Sequence, residues 1–189
     1  CLGILADMDI DVDELEDSRT TKQITFEPVT ETYWADMGKV WPNGHQQAGE
    51  PIMLRDYQVD AINKFLTNTQ ALQEIATGAG KTITTATLSH LAEKYGRTIT
   101  IVPNKSLVEQ TEEDFINVGL DVGVYYGDRK NLDKTHTICT WQSLNIFDKK
   151  SKNHEYAIMS LAEFLADVKT VIVDEVHMAK ADALKTLLT

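Results

Sequence analysis

Residues 75–82 read IATGAGKT and residues 171–177 read VIVDEVH. In the first stretch Gly78 and Gly80 let the backbone curl until successive N–H groups converge, and the group such a nest accepts is an anion. A helix expected to open at Lys81 adds the positive end of its dipole. Lys81 supplies a cation for β- and γ-phosphate oxygens, and the Thr82 hydroxyl can ligate Mg2+. With Thr77 and Ala79 these residues fill the closing half of the G-x-x-x-x-G-K-[ST] pattern, while Ile75 stands where that pattern has its first glycine.

The second stretch supplies the complementary charge. Val171, Ile172 and Val173 predict a buried strand, and Asp174 and Glu175 follow where that strand leaves its sheet. Ligands of open α/β sheets bind beyond the carboxyl ends of the strands. Asp174 is placed to hold Mg2+ through water, and Glu175 to orient and deprotonate an attacking water. Two adjacent acids at a buried edge are costly without a cation. Singly, each stretch has a plainer reading, a Gly-Lys-Thr turn or a solvated acidic pair. Together, 93 residues apart from Lys81 to Asp174, they predict hydrolysis of a nucleotide with Mg2+.

Such loops need elements to hold them. Asp56–Leu66 places Val59, Ile62, Phe65 and Leu66 on one helical face; Lys81–Tyr95 and Lys105–Val118 repeat apolar positions every four residues. Strand-like runs at Ala71–Ile75, Thr98–Val102, Asp121–Tyr126, Thr135–Thr140 and Thr170–Val173 alternate with these helices, and a further helix is expected around Tyr156–Leu165. That alternation predicts a mainly parallel sheet covered on both faces, a three-layer α/β fold.

Upstream the sequence is less informative. Ile24–Val29 is strand-like and is followed by Tyr33, Trp34, Trp41 and a loop at Pro42-Asn43-Gly44. In the acidic run of residues 7–17, Asp9, Asp11 and Asp13 match the first ligands of a calcium loop. Glu14 and Thr20, however, fall where that loop needs Gly and Glu, which leaves a solvated tail or an edge strand. Residues 1–50 are expected to be an acidic extension and residues 51–189 the nucleotide-binding domain.

The net charge of −11 argues against a nucleic-acid partner, because phosphates are met by Lys and Arg. Counting by segment weakens that. Residues 1–36 hold 10 acidic and 2 basic residues, net −8, so residues 37–189 carry only −3, and between Arg129 and Lys152 the balance is basic. Hydrophobic residues at 42% and charged residues at 25% exclude wholesale disorder. No apolar run is long enough for a membrane helix, and no membrane partner is expected. Cys1 and Cys139 cannot form a disulfide framework, which points to a reducing, cytoplasmic setting. The initial Cys and an apparent helix running off at Ala181–Thr189 read as a piece of a longer frame.

Several blocks across residues 53–180, in order, resemble the DExH branch of superfamily 2 helicases. Leu54-Arg55-Asp56-Tyr57-Gln58 is similar to the Q motif, which implies that Arg55 and Gln58 meet the adenine, the Gln58 amide reading its donor and acceptor edges. Ile101–Gln110 is similar to motif Ia, which implies nucleic-acid backbone contacts at Pro103 and Asn104. Gly123–Lys130 is similar to the glycine-bearing strand and turn that follow it. Thr140-Trp141-Gln142-Ser143-Leu144 resembles the Thr-x-Gln-Ser block, which implies further backbone contacts at Thr140, Gln142 and Ser143. VIVDEVH resembles motif II, with Val176 in its variable place and His177 coupling the ATP site to the nucleic-acid face.

The combination is most similar to the group of phage UvsW-type and type III restriction-subunit-like helicases. The resemblance implies a RecA-like P-loop NTPase domain, ATP and Mg2+, and DNA rather than RNA. It also implies a second RecA-like domain of the parent chain bearing an arginine finger, and a role in remodelling branched DNA during recombination or repair. Plainer readings stay open: Gln58 as a solvated residue, Thr140, Gln142 and Ser143 as a helix cap, His177 as a polar strand end, and Lys105, Arg129 and Lys130 as solvated cations. Two other functions also remain, the motor of a restriction endonuclease complex and a non-catalytic interaction module. Intact Lys81, Thr82, Asp174 and Glu175 speak against the module. Residues 1–189 alone are expected to bind ATP weakly and hydrolyse it poorly, since an arginine finger is worth roughly 10³–10⁵ in rate.

Overall fold

β-Branched runs become the sheet, and the apolar stripes become the helices that cover it. The structure, a computed structural model, describes residues 25–68, 71–76, 78–152 and 161–175. Its elements are α1 (Tyr33–Asp36), α2 (Asp56–Leu66), α3 (Lys81–Glu93), β1 (Arg97–Val102), α4 (Lys105–Asn117) and β2 (Val122–Tyr126). There follow β3 (Arg129–Lys130), β4 (His136–Thr140), α5 (Trp141–Lys152), α6 (Leu161–Leu165) and β5 (Val168–Val173).

The sheet has the order β3-β2-β4-β1-β5. Its four longer strands are parallel, and the short β3 is antiparallel to β2. Val102 lies opposite Thr140, Tyr125 opposite Cys139, and Ile101 opposite Val173. The carboxyl ends of β2, β4, β1 and β5 therefore form one row, and the loops leaving them share one edge of the molecule.

Alternation along each strand sends side chains to opposite faces. Val102, Val124 and Ile138 pack with Ile62 of α2, Ala86 of α3, and Val108 and Phe115 of α4. Ile99, Ile101, Tyr125 and Cys139 pack on the other face with Leu144 of α5 and Phe164 of α6. The result is the three-layer, mainly parallel α/β architecture the spacing predicts.

Two expected strands do not form. Residues 25–30 lie outside any ladder; the Asn63 side chain instead takes both backbone groups of Val29, accepting from its N–H at 2.8 Å and donating to its carbonyl at 3.0 Å. Residues 71–76 are also unpaired among the described residues: Leu72 is 80% exposed, and the Gln73 amide donates to the Ala61 carbonyl at 2.8 Å. A β-run without a neighbouring strand to complete its hydrogen bonds gains nothing from extension. Helix α5 was not expected. Of the helix expected around Tyr156–Leu165 only Leu161–Leu165 is described, and the acidic run at 7–17 and Ala181–Thr189 lie outside the described residues.

The core is continuous across residue 50. Val29, Trp34, Ile52, Leu54 and Ile62 share one cluster; the Leu54 N–H donates to the Glu31 carbonyl at 2.9 Å, and the Trp34 indole donates to the Thr87 hydroxyl of α3 at 2.9 Å. At the amino ends of the strands the interior is polar but paired. His136, 1% exposed, meets the Ser89 and Thr98 hydroxyls through Nδ1 at 3.0 and 2.9 Å and the Glu93 carboxylate through Nε2 at 3.0 Å. Those partners fit a neutral ring with its proton on Nε2. Burial, first, holds His136 below its ordinary range, against the pull of Glu93. Arg97 closes the same end by donating to the carbonyls of Lys134, Phe164 and Leu132.

Candidate active site

The glycine loop sits at the start of α3, at the carboxyl edge of the sheet. Gly80 caps the helix in the left-handed conformation, φ 72°, and Gly78 has φ 80°. A Cβ on Gly78 would meet nothing within 4 Å, so the outer face of the loop is open, whereas one on Gly80 would lie 2.5 Å from the Gln58 amide nitrogen. Glycine is required at both positions by backbone conformation, and at Gly80 by space as well.

The loop is held from behind by α2. Gln58 is buried with both ends of its amide engaged: Oε1 accepts the Arg55 backbone N–H at 2.9 Å, and Nε2 donates to the carbonyls of Ala79 and Gly80 at 3.0 and 3.3 Å. Tyr57 donates its hydroxyl to the same Ala79 carbonyl at 3.0 Å and accepts from Arg55 Nη1 at 2.7 Å. Gln58 therefore positions the loop in this structure. Tyr57, which chemistry-bearing residue types alone do not single out, shares the task; its place inside the Leu54–Gln58 block was the signal available. A cleft of about 600 Å³ opens beside these residues, lined among others by Arg55, Tyr57, Gln58, Gln73 and Ala79.

The fold brings the two predicted stretches together. Lys81 Nζ forms an ion pair with Glu175 Oε1 and lies 3.8 Å from Asp174 Oδ1. The hydrogen bond to Glu175 holds the Lys81 ammonium above its ordinary range, burial opposes it, and the charges of Asp174 and Glu175 add to the rise. Asp174 is fixed by its backbone N–H, which donates to the Ile101 carbonyl at 2.9 Å, and its Oδ1 accepts the Glu175 N–H at 2.9 Å. Glu175 has φ 50°, a left-handed conformation unusual for a residue with a side chain. Asp114 of α4 faces Thr82: burial, first, and the charge of Glu113 push its carboxyl up, and the neighbouring Thr82 hydroxyl holds it part of the way back.

These residues fit a magnesium nucleotide. An open glycine loop, a lysine at a helix start and one carboxylate pair at the end of β5 match what Mg2+ takes, since it is bound by one or two carboxylates with phosphates and water completing its shell. Among the described residues no group of three or more His, Cys, Asp and Glu is arranged to hold a metal, so phosphate oxygens must supply the remainder. Thr77 and His177 lie outside the described residues.

The five residues implied at the nucleic-acid backbone divide into two sets. Asn104 and Gln142 are exposed, while Pro103, Thr140 and Ser143 are buried. Asn104 Oδ1 caps α4 by accepting the Leu107 N–H at 3.0 Å; Thr140 Oγ1 accepts the Ser143 N–H at 3.2 Å and pairs with its hydroxyl at 2.9 Å, tying down the start of α5. Asn104, Thr140 and Gln142 all stand on the row of strand ends that also carries Asp174. Cys139 is an inert core thiol, pushed up by burial.

Comparison with known proteins agrees with this geometry. The family described as "Type III restriction enzyme, res subunit" matches residues 51–189. No curated protein sequence matches the chain. Two solved structures of UvsW from bacteriophage T4 are similar in fold, one with a TM-score of 0.63 at 19% identity over 86% of this chain, the other with 0.51 at 18% over 86%. The chain spans 32% and 66% of those two chains. Among the described residues no helix is long and apolar enough to cross a membrane. A matched family covering the glycine loop and the paired carboxylates, on a sheet with this strand order, leads to one assignment: the chain belongs to the type III restriction enzyme res-subunit family and carries the RecA-like domain of a superfamily 2, helicase-type NTPase.

Proposed function

We propose that the chain is the ATP-binding half of a DNA helicase or translocase that remodels branched DNA in recombination or repair, acting in the cytoplasm. The observation that carries this reading is the meeting of Lys81 with Asp174 and Glu175 at the mouth of an open glycine loop. Lys81 turns from Glu175 to the phosphate oxygens of ATP, which frees the Glu175 carboxylate to orient a water and take its proton at Oε1. Asp174 and Thr82 are the residues to hold Mg2+, which when bound would neutralise charge developing on the phosphates. Arg55, Tyr57 and Gln58 fix the loop and wall the base-binding cleft; Asn104, Gln142 and their neighbours stand where a strand of DNA would cross the row of strand ends. His177 follows the carboxylates directly and is assigned the coupling of the two. Residues 1–50 are assigned as an acidic extension whose last part packs on the motor, and a second RecA-like domain of the parent protein would complete the site.

The likeness in fold to a structure titled as the UvsW helicase supports the helicase part of this reading. The family match favours a second one, in which the same motor serves a restriction endonuclease complex. DNA-stimulated ATPase and fork-unwinding assays on the full-length parent test the first, with Lys81→Ala and Glu175→Gln as inactive controls. Unchanged unwinding by either variant would sink the motor reading, and ATP-dependent double-strand cleavage by the parent would favour the second.

A further inference from the structure

At the far end of the row from Asp174, the strand–turn–strand of β2 and β3 builds a second cluster of charge. Arg129 forms a two-pronged pair with Glu112 of α4, Nη1 to Oε2 at 2.7 Å and Nη2 to Oε1 at 2.6 Å. The Arg129 guanidinium lies 5.8 Å and the Lys105 ammonium 5.7 Å from the centre of the Tyr126 ring, whose hydroxyl donates to Glu109 at 2.9 Å. Lys105 is itself 3.7 Å from Glu109. Two cations, Lys105 and Arg129, thus share one corner, and α4 answers both with carboxylates.

The two sides of the main pair differ in their access to solvent. The Arg129 side chain is 45% exposed and that of Glu112 is 16% exposed, so the guanidinium lies outermost and the carboxylate sits behind it. The Glu112 carboxylate has the bidentate geometry that a phosphodiester also offers to arginine. We infer that Glu112 is an intramolecular stand-in for a backbone phosphate: the Arg129 fork is a nucleic-acid phosphate contact held masked by Glu112, with Tyr126 and Lys105 as its platform. This rests on the reading of the chain as part of a nucleic-acid motor.

Magnitudes allow the exchange. An exposed ion pair is typically worth up to about a factor of five, and somewhat more when bidentate as here. A polyanionic strand offers many phosphates at once, and each one neutralised releases counterions. The position fits as well. Tyr126 ends β2 one step from Thr140 and two from Val102, so the fork stands in line with the exposed Asn104 and Gln142 along the same row. Removing the carboxylate's charge while keeping its shape should therefore raise affinity, which a purely structural ion pair would not do.

The test measures binding of a fluorescent dT20 oligonucleotide by the full chain as a function of salt, for wild type, Glu112→Gln, Arg129→Ala and the double variant. Circular dichroism checks the fold of each. Glu112→Gln should bind about three- to tenfold tighter, Arg129→Ala several-fold weaker with a salt slope lower by about one, and Glu112→Gln should gain nothing in the Arg129→Ala background. Binding by wild type with no change in either single variant overturns this inference and leaves the motor reading standing. No binding of dT20 or of branched DNA by any form overturns both. An equal gain by Glu112→Gln toward poly-glutamate also overturns it, since the patch would then be a general anion surface.

Discussion

The two ends of the parallel strands are built on opposite terms. At the amino ends, the buried Ser89, Thr98 and His136 and the half-buried Arg97 form a polar net that the exposed Glu93 closes on the solvent side, and their partners are protein groups. At the carboxyl ends, Gly78, Gly80 and Glu175 hold left-handed conformations, and Lys81 pairs with the carboxylates of Asp174 and Glu175 beside the open loop. One end fixes the fold. The other stores strain and exchangeable charge, which a ligand can recover as binding energy.

The contrast breaks most sharply under substitutions that separate chemistry from folding. Lys81→Ala and Glu175→Gln should lower ATP turnover by the parent protein by at least about 10³-fold while leaving the melting temperature close to wild type. Single-turnover hydrolysis beside a thermal melt measures both. At the opposite end, His136→Leu leaves the buried Ser89 and Thr98 hydroxyls and the Glu93 carboxylate without their shared partner. It should cost about 1–3 kcal/mol in urea denaturation, with nucleotide affinity per folded molecule unchanged. Gly80→Ala falls between these. Left-handed backbone costs a residue with a side chain about 1–2 kcal/mol, and the new methyl would push the Gln58 amide off the loop. Both stability and ATP affinity should drop, the second by about tenfold or more in a titration with a fluorescent ATP analogue.

A finer prediction concerns Glu175 itself. If its φ of 50° is true strain, Glu175→Gly is more stable than Glu175→Ala by about 1 kcal/mol, the reverse of the order expected in extended or helical backbone. Equal melting points for the two would remove the strain from the account. The smallest effect is a pH slope. His136 and His90 are held below their ordinary 6.5 chiefly by burial, so the unfolded chain binds more protons just below that pH. Stability should fall as pH drops through about 6.5, and His136→Gln should flatten the slope. Lys81 is raised above its ordinary 10.5, so its contribution is complete below that pH and flat between pH 5 and 8. Among the described residues, the slope near neutrality therefore comes from His136 and His90.

Legibility in the sequence follows the same division. The spacing of Val59, Ile62, Phe65 and Leu66 predicts Asp56–Leu66, and the observed α2 has those bounds. The parallel strands appear where β-branched residues cluster, and Lys81, Asp174 and Glu175 do converge. Long-range partnerships were hidden. Nothing local in Ile24–Val29 reveals that Asn63 takes over the hydrogen bonds of Val29, and nothing in Ala71–Ile75 reveals that no described strand pairs with it. Gln58 reads equally as a base contact or a solvated residue, because its bonds to Ala79 and Gly80 depend on how two distant loops meet. The fork of Arg129 and Glu112 was invisible for the same reason, its members being 17 residues apart on a strand and a helix.

Trp34 carries a practical consequence. The family match begins at residue 51, but the indole of Trp34 is fully buried against α3, and Val29 lies in the same core as Ile52, Leu54 and Ile62. The folded core thus reaches back at least to Val29, some twenty residues before the family match begins. An expression boundary drawn at 51 would strip an aromatic lid from α3 and hand the exposed apolar patch to aggregation, while one drawn near residue 25 keeps the lid closed.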